Sequence, residues 1–389
     1  MYIRLFIMLL VLYGVHIFYY YTAIRFFGIT APYIRAIVFW CLTFLTFGFI
    51  ASAVLLRFAS NGVTQVFYLL CALWLGVAVN LLFAVIIGWA AFSVSWGLRL
   101  ALPMRTVASA LVAATLLFSA YGVWNAFCPK VREIEVAMPG LPGKWLHKTA
   151  VQISDVHLGA IYTPRYFTKT AALINGLKPD VIFITGDLFD SIGADGLDDF
   201  VGPLNGLVAP DGVFYVNGNH ENYIGMERVN SALAKTRLRV LHDEVASIDG
   251  MQIIGVDYPE PGSHRDAASV IRSASGYRPG APTILLYHTP TSLEMKTGDP
   301  ARMQTQTYWS PDTDFTVAKA LGVNLQLSGH THKGQMLPFV WLASYLYKGF
   351  DYGLHTDGAF SIYVTSGLGS FGPPMRTATA SEIVAIRFR

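Results

Sequence analysis

Residues 181–190 read VIFITGDLFD, in which five β-branched or aromatic residues are followed by a glycine and two aspartates. A short apolar run of this kind predicts a buried strand, and the glycine after it predicts a sharp turn. Asp187 and Asp190 therefore follow the carboxyl end of a predicted strand. Because ligands of open α/β sheets bind beyond the carboxyl ends of the strands, the stretch predicts a site as well as a strand.

The same arrangement recurs between residue 145 and the end of the chain. Further strands are predicted at 150–154, 213–216, 253–256, 283–287, 323–327, 361–365 and 382–388. A helix is predicted up to Gly176, because Thr163 is a good N-cap and Pro164 suits the first helical position. Strands that alternate with helices predict an α/β domain with substantial parallel pairing.

Polar residues cluster directly after five of these strands, in the sequences Asp155-Val156-His157, Gly186-Asp187-Leu188-Phe189-Asp190, Gly218-Asn219-His220-Glu221, His288 and Gly329-His330-Thr331-His332. Taken singly, each motif has an ordinary structural explanation as a cap, a turn or a buried histidine. Five of the ten histidines nevertheless fall in these loops. Their common position after strands favours one shared site.

The residue types in these loops indicate a metal centre. They supply carboxylate oxygens, one amide oxygen and imidazole nitrogens, whereas the three cysteines (Cys41, Cys71 and Cys128) lie outside the predicted domain core. This mixed set suits Mn²⁺, Fe, Co²⁺ or Zn²⁺. Seven such ligands are too many for one tetrahedral ion, but they suit two ions about 3.5–4 Å apart that share a carboxylate.

The order of the motifs resembles that of the calcineurin-like metallophosphoesterase superfamily. Over residues 145–389 the sequence is similar to the membrane-associated bacterial branch of that superfamily, in the motifs SDVHLG, ITGDLFD, GNHE, LSGHTHKGQ and VTSGLG. The resemblance implies a four-layer α/β/β/α sandwich, two divalent metal ions and hydrolysis of a phosphate ester or anhydride. Manganese is the metal expected first, with iron, zinc and cobalt as alternatives.

The resemblance also implies roles for individual residues. The first metal would be held by Asp155, His157 and His332, the second by Asn219, His288 and His330, and Asp187 would bridge them. His220 would be the catalytic residue, which stabilises the transition state or protonates the leaving oxygen. Asp190 and Glu221 would orient imidazoles. Lys333 replaces a glycine common in the family and is either a substrate contact or a solvated side chain.

The first third of the chain has a different composition. Residues 1–127 contain six Arg, no Lys and no acidic residue, so that 22 basic and all 25 acidic residues lie in 128–389. Only 14% of the whole chain is charged, against about 25% in soluble domains. The slightly acidic second part argues against a nucleic-acid partner. Nothing in the sequence points to an obligate protein partner.

About 20 apolar residues are needed to span a bilayer. Residues 5–24, 36–56, 66–89 and 107–127 meet this requirement, and residues 90–98 are interpreted as an interfacial extension. The sequence therefore predicts an all-α transmembrane domain of about four spans at 1–128 and a metallophosphoesterase domain at 129–389.

The orientation in the membrane follows from the arginines of the short loops. Four of them lie on one side of the membrane (Arg25, Arg35, Arg99, Arg105), and two lie on the other side (Arg4 and Arg57). The positive-inside rule then favours a cell-membrane protein with an extracytoplasmic catalytic domain.

Two stretches are candidates for substrate selection: the polar insertion 291–312 and the almost uncharged segment 337–350, LPFVWLASYLYKGF. The second is either core or an apolar lip that contacts the bilayer.

The favoured function is a membrane-anchored two-metal phosphoesterase that acts on a membrane lipid or lipid-linked phosphate. One alternative is a tethered hydrolase of soluble nucleotides or cyclic nucleotides. Another is a membrane scaffold or sensor without catalysis.

Overall fold

A computed structural model describes residues 2–192, 196–259, 266–293 and 308–389. Most of the predicted insertion at 291–312 lies outside the described residues. The chain forms two compact units: Met1–Trp124 with Gly372–Thr377, and Asn125–Phe371 with Ala378–Arg389. We call them the helical unit and the α/β unit.

The helical unit contains four helices that are long and apolar enough to cross a membrane. They are α1 (Tyr2–Phe27), α2 (Pro32–Phe58), α3 (Gly62–Gly97) and α4 (Met104–Phe127). Residues 90–97 continue α3 without a break. At its other end the side chain of Asn61 accepts the backbone N–H groups of Val63 and Thr64, which caps the helix. The four predicted spans are confirmed as apolar helices.

Residues 372–377 fold with the helices. A Cβ added to Gly122 would collide with the side chains of Met375 and Thr377, and the N–H of Arg376 donates to the carbonyl of Gly122 at 2.9 Å. The amide of Asn80 lies 3.3 Å from the sulfur of Met375. The division therefore differs from the sequence boundary at 128/129, because glycine on a helix lets this loop pack closely.

The described residues of the α/β unit form two six-stranded sheets. Their orders are β1-β12-β2-β3-β4-β5 and β10-β11-β9-β8-β7-β6. The strands are β1 (Lys130–Val136), β2 (Thr149–Ile153), β3 (Val181–Thr185), β4 (Val213–Val216), β5 (Arg239–Val240), β6 (Glu244–Ile248), β7 (Met251–Val256), β8 (Thr283–Tyr287), β9 (Leu325–Ser328), β10 (Gly353–Asp357), β11 (Phe360–Val364) and β12 (Glu382–Phe388). Strands β2, β3 and β4 pair in parallel, as do β7, β8 and β9.

In the part of the chain that the structure describes, the helices beside these sheets are α5 (Pro164–Gly176), α6 (Val201–Asn205), α7 (Asn219–Ile224), α8 (Met226–Leu233), α9 (Ala267–Ser273), α10 (Thr316–Ala320) and α11 (Phe339–Leu346). Thr163 caps α5 as predicted, its side chain accepting the N–H of Tyr166.

Alternating residues of the strands build three apolar layers. In β3, Ile182 and Ile184 pack with α5, α6 and α8, whereas Val181 and Phe183 pack against the second sheet. The far face of the second sheet packs with α9 and α10. Successive side chains of a strand point to opposite faces, so a strand buried on both sides is apolar throughout. The unit is the predicted four-layer α/β/β/α sandwich.

Candidate metal centre

The predicted site residues come from the carboxyl ends of five parallel strands. Asp155 and His157 follow β2, Asp187 follows β3 and Asn219 opens α7 after β4. In the second sheet His288 follows β8, and both histidines of the last motif follow β9. These side chains are buried or nearly so. The sandwich therefore gathers at one place the residues that the sequence spreads over 178 positions.

Five of these residues have backbone conformations that side chains rarely adopt. The φ angles are 51° at Asp155, 52° at His157, 48° at Asp187, 73° at His330 and 49° at His332. Left-handed backbone at a non-glycine residue costs free energy and persists only where neighbouring structure enforces it. Here the N–H of His157 donates to the carbonyl of Asp187 at 3.1 Å, and the N–H of His330 donates to the Asp155 carboxylate at 2.9 Å. Such strain is typical of functional sites.

A first group of donors consists of Asp155, His157 and His332, whose ligand atoms all lie within 4.8 Å of one another. The Nε2 atoms of the two histidines are 3.0 Å apart, and the Nε2 of His332 is 3.4 Å from Oδ1 of Asp155. Burial, helped by the nearby His220, lowers the pKa of His157 to about 4. His157 is then a neutral imidazole at neutral pH, which is the form that binds metals.

A second group consists of Asp187, His288 and His330. The Nε2 of His288 is 3.2 Å from Oδ2 of Asp187 and 3.3 Å from Nδ1 of His330. Burial lowers the pKa of His330 to about 3, with His288 adding to the effect. Burial opposes ionisation of Asp187, but the surrounding imidazoles of His288 and His220 hold its pKa well below the usual range. Asp187 is thus an ionised carboxylate.

Asp187 lies between the two groups. Its Oδ2 is also 4.0 Å from Nε2 of His157, a member of the first group. One carboxylate therefore faces imidazoles of both groups, which is the position that a bridging ligand requires.

The amide of Asn219 is predicted to complete the second group. Asn219 opens α7 directly after β4, and its Oδ1 is buried and has no hydrogen-bond partner among the described residues. A buried acceptor without a partner costs about 1–3 kcal/mol, and a cation would satisfy it. Together with the carboxylates and the imidazoles, this atom makes the donor set fit two divalent ions. The ligand atoms of the other six predicted ligands lie in the two groups, and coordination by Asn219 stays a prediction.

His220 lies beside both groups. Its Nδ1 is 3.5 Å from Oδ1 of Asp190, as predicted for a carboxylate that orients an imidazole. Burial opposes protonation, but Asp187, Asp190 and Glu221 together raise the pKa of His220 to about 9. A protonated imidazole suits a proton donor or an anion-stabilising group. His220 also lies within 4.8 Å of His157 and Asp187 ligand atoms, so its role as a non-ligand stays a prediction.

Glu221 has a different role from the one predicted. It does not orient an imidazole through a hydrogen bond in the described structure. Its carboxylate accepts the backbone N–H groups of Gly218 at 2.7 Å, Asp187 at 3.1 Å and Phe189 at 3.0 Å. The short side chain is enclosed between the loops after β3 and β4, so the N–H groups of those loops are what it reaches. Glu221 therefore fixes the backbone that carries Asp187.

Glycines leave room for the ligands. A Cβ on Gly218 would collide with the carboxylate of Asp187, one on Gly329 with that of Asp155, and one on Gly186 with the ring of His288. The glycine that precedes Asp187, Asn219 or His330 is therefore required by close approach of a ligand side chain.

Comparison with known proteins agrees with this geometry. Residues 148–334 match the family model described as calcineurin-like phosphoesterase. The chain belongs to the calcineurin-like phosphoesterase family. It is 30% identical over 261 residues to an uncharacterized metallophosphoesterase of Helicobacter pylori, covering 67% of this chain and 64% of that protein. It is 31% identical over 298 residues to the transmembrane protein with metallophosphoesterase domain of Danio rerio, covering 72% and 62%.

A solved structure of a dimetal phosphatase from Danio rerio is also similar, with a TM-score of 0.35 and 12% identity over 57% of this chain and 87% of that one. The chain spans less than two thirds of the length of the two relatives above. Its four apolar helices and its transmembrane relatives identify this calcineurin-like phosphoesterase as a multi-pass membrane protein. The side of the membrane on which the α/β unit lies stays a prediction.

In this calcineurin-like phosphoesterase, Lys333 is held by an aromatic ring. Its Nζ lies 3.9 Å from the ring centroid of Tyr352, whose hydroxyl donates to Glu382 at 3.0 Å. The φ of Lys333 is 48°, a conformation that suits the glycine common at this position. A contact between Lys333 and substrate stays a prediction.

Sequence reasoning missed the aromatic residues around the histidines. The ring of Phe371 lies 5.5 Å from that of His220, and Tyr258 lies 6.1 Å from His288. Tyr308 and Tyr347 lie 5.7 Å and 6.4 Å from His330. Their spacing along the chain carries no signal, because they come from loops between unrelated elements. Aromatic rings thus border the donor groups of this phosphoesterase.

Proposed function

We propose that the protein is a membrane-anchored, dinuclear-metal phosphoesterase that hydrolyses a phosphate ester or anhydride of a lipid or lipid-linked molecule. The observation that carries the proposal is the position of Asp187 Oδ2, which faces His288 at 3.2 Å and His157 at 4.0 Å. One charged carboxylate between two complete donor groups suits a pair of divalent ions. When bound, two such ions stabilise the charge that develops on phosphoryl oxygens and activate water.

The residues of the site would have separate roles in binding the ions and in proton transfer. Asp155, His157 and His332 would hold one ion and Asn219, His288 and His330 the other, with Asp187 shared. The raised pKa of His220, about 9, suits it to donate a proton to the leaving oxygen or to stabilise the anion. Asp190 positions that imidazole. Manganese is the ion we expect first, with iron, zinc and cobalt as alternatives.

Membrane attachment supports a lipid substrate. Four apolar helices exceed what a tether requires, since a single span of about 20 residues anchors a domain. Hydrolysis of a soluble nucleotide by a tethered domain is the alternative within the same chemistry. A scaffold without catalysis is less well supported, because no member of the donor set is replaced.

The test uses the full-length protein in lipid nanodiscs. After chelation it should lose hydrolysis of bis(p-nitrophenyl) phosphate and recover it with Mn²⁺, while elemental analysis returns about two ions per chain. A long-chain lipid phosphate should then be hydrolysed faster than soluble nucleotides at equal concentration. Absence of turnover with two ions bound would contradict the enzyme proposal, and preference for nucleotides would contradict the lipid substrate.

A further inference from the structure

Helix α11 presents aromatic side chains to solvent. Trp341 is 65% exposed and Tyr345 is 81% exposed, whereas Ala343 is buried. The two aromatic residues are four positions apart and therefore lie next to each other on one face of the helix. We call this pair the aromatic face of α11. One side of this helix is therefore packed in the core and the other is exposed; contact of segment 337–350 with the bilayer stays a prediction.

The charges around the aromatic face favour a lipid surface as its partner. Residues 331–350 contain two basic residues, Lys333 and Lys348, and no acidic residue; Asp351, the next residue along the chain, is buried. Trp and Tyr beside Lys are typical of segments at the membrane interface, where the rings lie at headgroup level and the ammonium groups attract anionic lipids. Only two residues separate the end of α4 at Phe127 from the start of β1 at Lys130, so the chain that carries α11 is joined to a membrane helix by a short linker.

Both ends of α11 are fixed to the metal centre. Gly334, two residues after His332, has a φ of 69°, and a Cβ there would collide with the backbone of Phe339 and Val340. At the other end Tyr347 lies with its ring 6.4 Å from that of His330. The start of α11 is therefore packed against the loop that carries both histidines, and Tyr347 at its end lies near His330.

We propose that the aromatic face of α11 binds the headgroup region of the bilayer and presents a lipid phosphate to the metal centre. The binding surface follows from exposure, charge and the attachment of α11. Delivery of a lipid phosphate rests in addition on the function proposed above, so the two parts have separate tests.

The binding surface is tested by fluorescence of the full-length protein in liposomes of phosphatidylcholine and phosphatidylglycerol. Subtracting the emission of Trp341→Phe from that of the parent isolates Trp341 among the eight tryptophans. We expect this difference signal to be quenched by lipids brominated on the acyl chain and to be protected from iodide. Quenching by iodide without quenching by bromine would place Trp341 in water and overturn the proposal. Protection from both would place it against protein and overturn it equally.

Delivery of substrate is tested with Trp341→Ser/Tyr345→Ser. We expect hydrolysis of a lipid phosphate in liposomes to fall about 10-fold or more, the factor that corresponds to burial of one large side chain. Hydrolysis of a water-soluble aryl diester should stay within about twofold of the parent. The matched control is Leu173→Ser/Val208→Ser, which changes two exposed apolar residues outside α11 and should leave both rates unchanged.

An equal fall in the hydrolysis rates of both substrates would mean that α11 supports the fold, and it would overturn the proposal that α11 delivers substrate. Unchanged rates on both substrates would also overturn that proposal. If the parent hydrolyses neither substrate, the proposed function fails, whereas the fluorescence result still decides the binding surface.

Discussion

The Oδ2 of Asp187 lies 3.2 Å from the Nε2 of His288 in the centre of the buried site. Asp187 belongs to the first sheet and His288 to the second, so this pair joins the two sheets where their parallel strands end. The N–H of His220 donates to the other oxygen of Asp187 at 2.9 Å. One carboxylate thus organises both donor groups and the residue proposed for proton transfer.

Replacing Asp187 by Asn should abolish activity. A neutral amide cannot compensate the charge of two divalent ions, and turnover of an aryl phosphate diester should fall at least about 10³-fold, or roughly 4 kcal/mol of barrier. Elemental analysis of the purified variant should show fewer than two ions per chain. Near-parental turnover with two ions bound would mean that Asp187 is not the shared ligand.

His220→Ala should separate chemistry from metal binding. We expect the variant to keep both ions and to lose about 10²–10⁴ in kcat, the range for a general acid or a charge-stabilising donor. Elemental analysis and kcat are measured on the same preparation. Because His220 lies within reach of His157 and Asp187, loss of an ion would instead identify it as a ligand, and its proposed role would be wrong.

The donor set could be predicted because strands that are buried on both faces are apolar throughout. Their ends are therefore easily located in the sequence. Strands β3, β4, β8 and β12 have the predicted bounds, and five polar motifs that all follow such strands are hard to explain as separate caps and turns. In contrast, the edge strand β1, KVREIEV, was missed because it is mostly exposed and alternates charged with apolar residues. Strand β10 is another largely exposed edge strand.

Contacts that depend on tertiary packing could not be predicted. Nothing in the sequence near Glu221 indicates that it accepts three backbone N–H groups, since the same motif also allows a contact to an imidazole. The packing of Met375 against Gly122 joins positions far apart in the chain. Tyr308 and Tyr347 likewise meet His330 only through loop conformation.

Glu221→Gln should weaken the loop that carries Asp187. Each carboxylate oxygen accepts at least one backbone N–H, so in either orientation the amide NH₂ of Gln would face a buried N–H. We expect unfolding free energy to fall by about 1–3 kcal/mol, measured by denaturant titration, together with weaker metal retention during dialysis. Glu227→Gln, at an exposed position of α8, is the matched control. Equal stability of the two variants would contradict the role given to Glu221.

Gly218→Ala should damage the metal centre through one methyl group. The added Cβ would collide with the carboxylate and backbone N–H of Asp187, and displacement of a buried group by an extra methyl costs about 1–3 kcal/mol. The displaced group is the proposed shared ligand. We therefore expect metal affinity and turnover to fall about 10-fold or more, even in the fraction of the protein that stays folded. Isothermal titration with Mn²⁺ and turnover of an aryl diester measure the two effects.

Gly202→Ala is the control, since a Cβ at that helical position meets nothing within 4 Å and should leave metal affinity and turnover unchanged. If Gly218→Ala binds and turns over like the control, the close approach of Gly218 to Asp187 has no functional importance, and the glycine is there only for the turn.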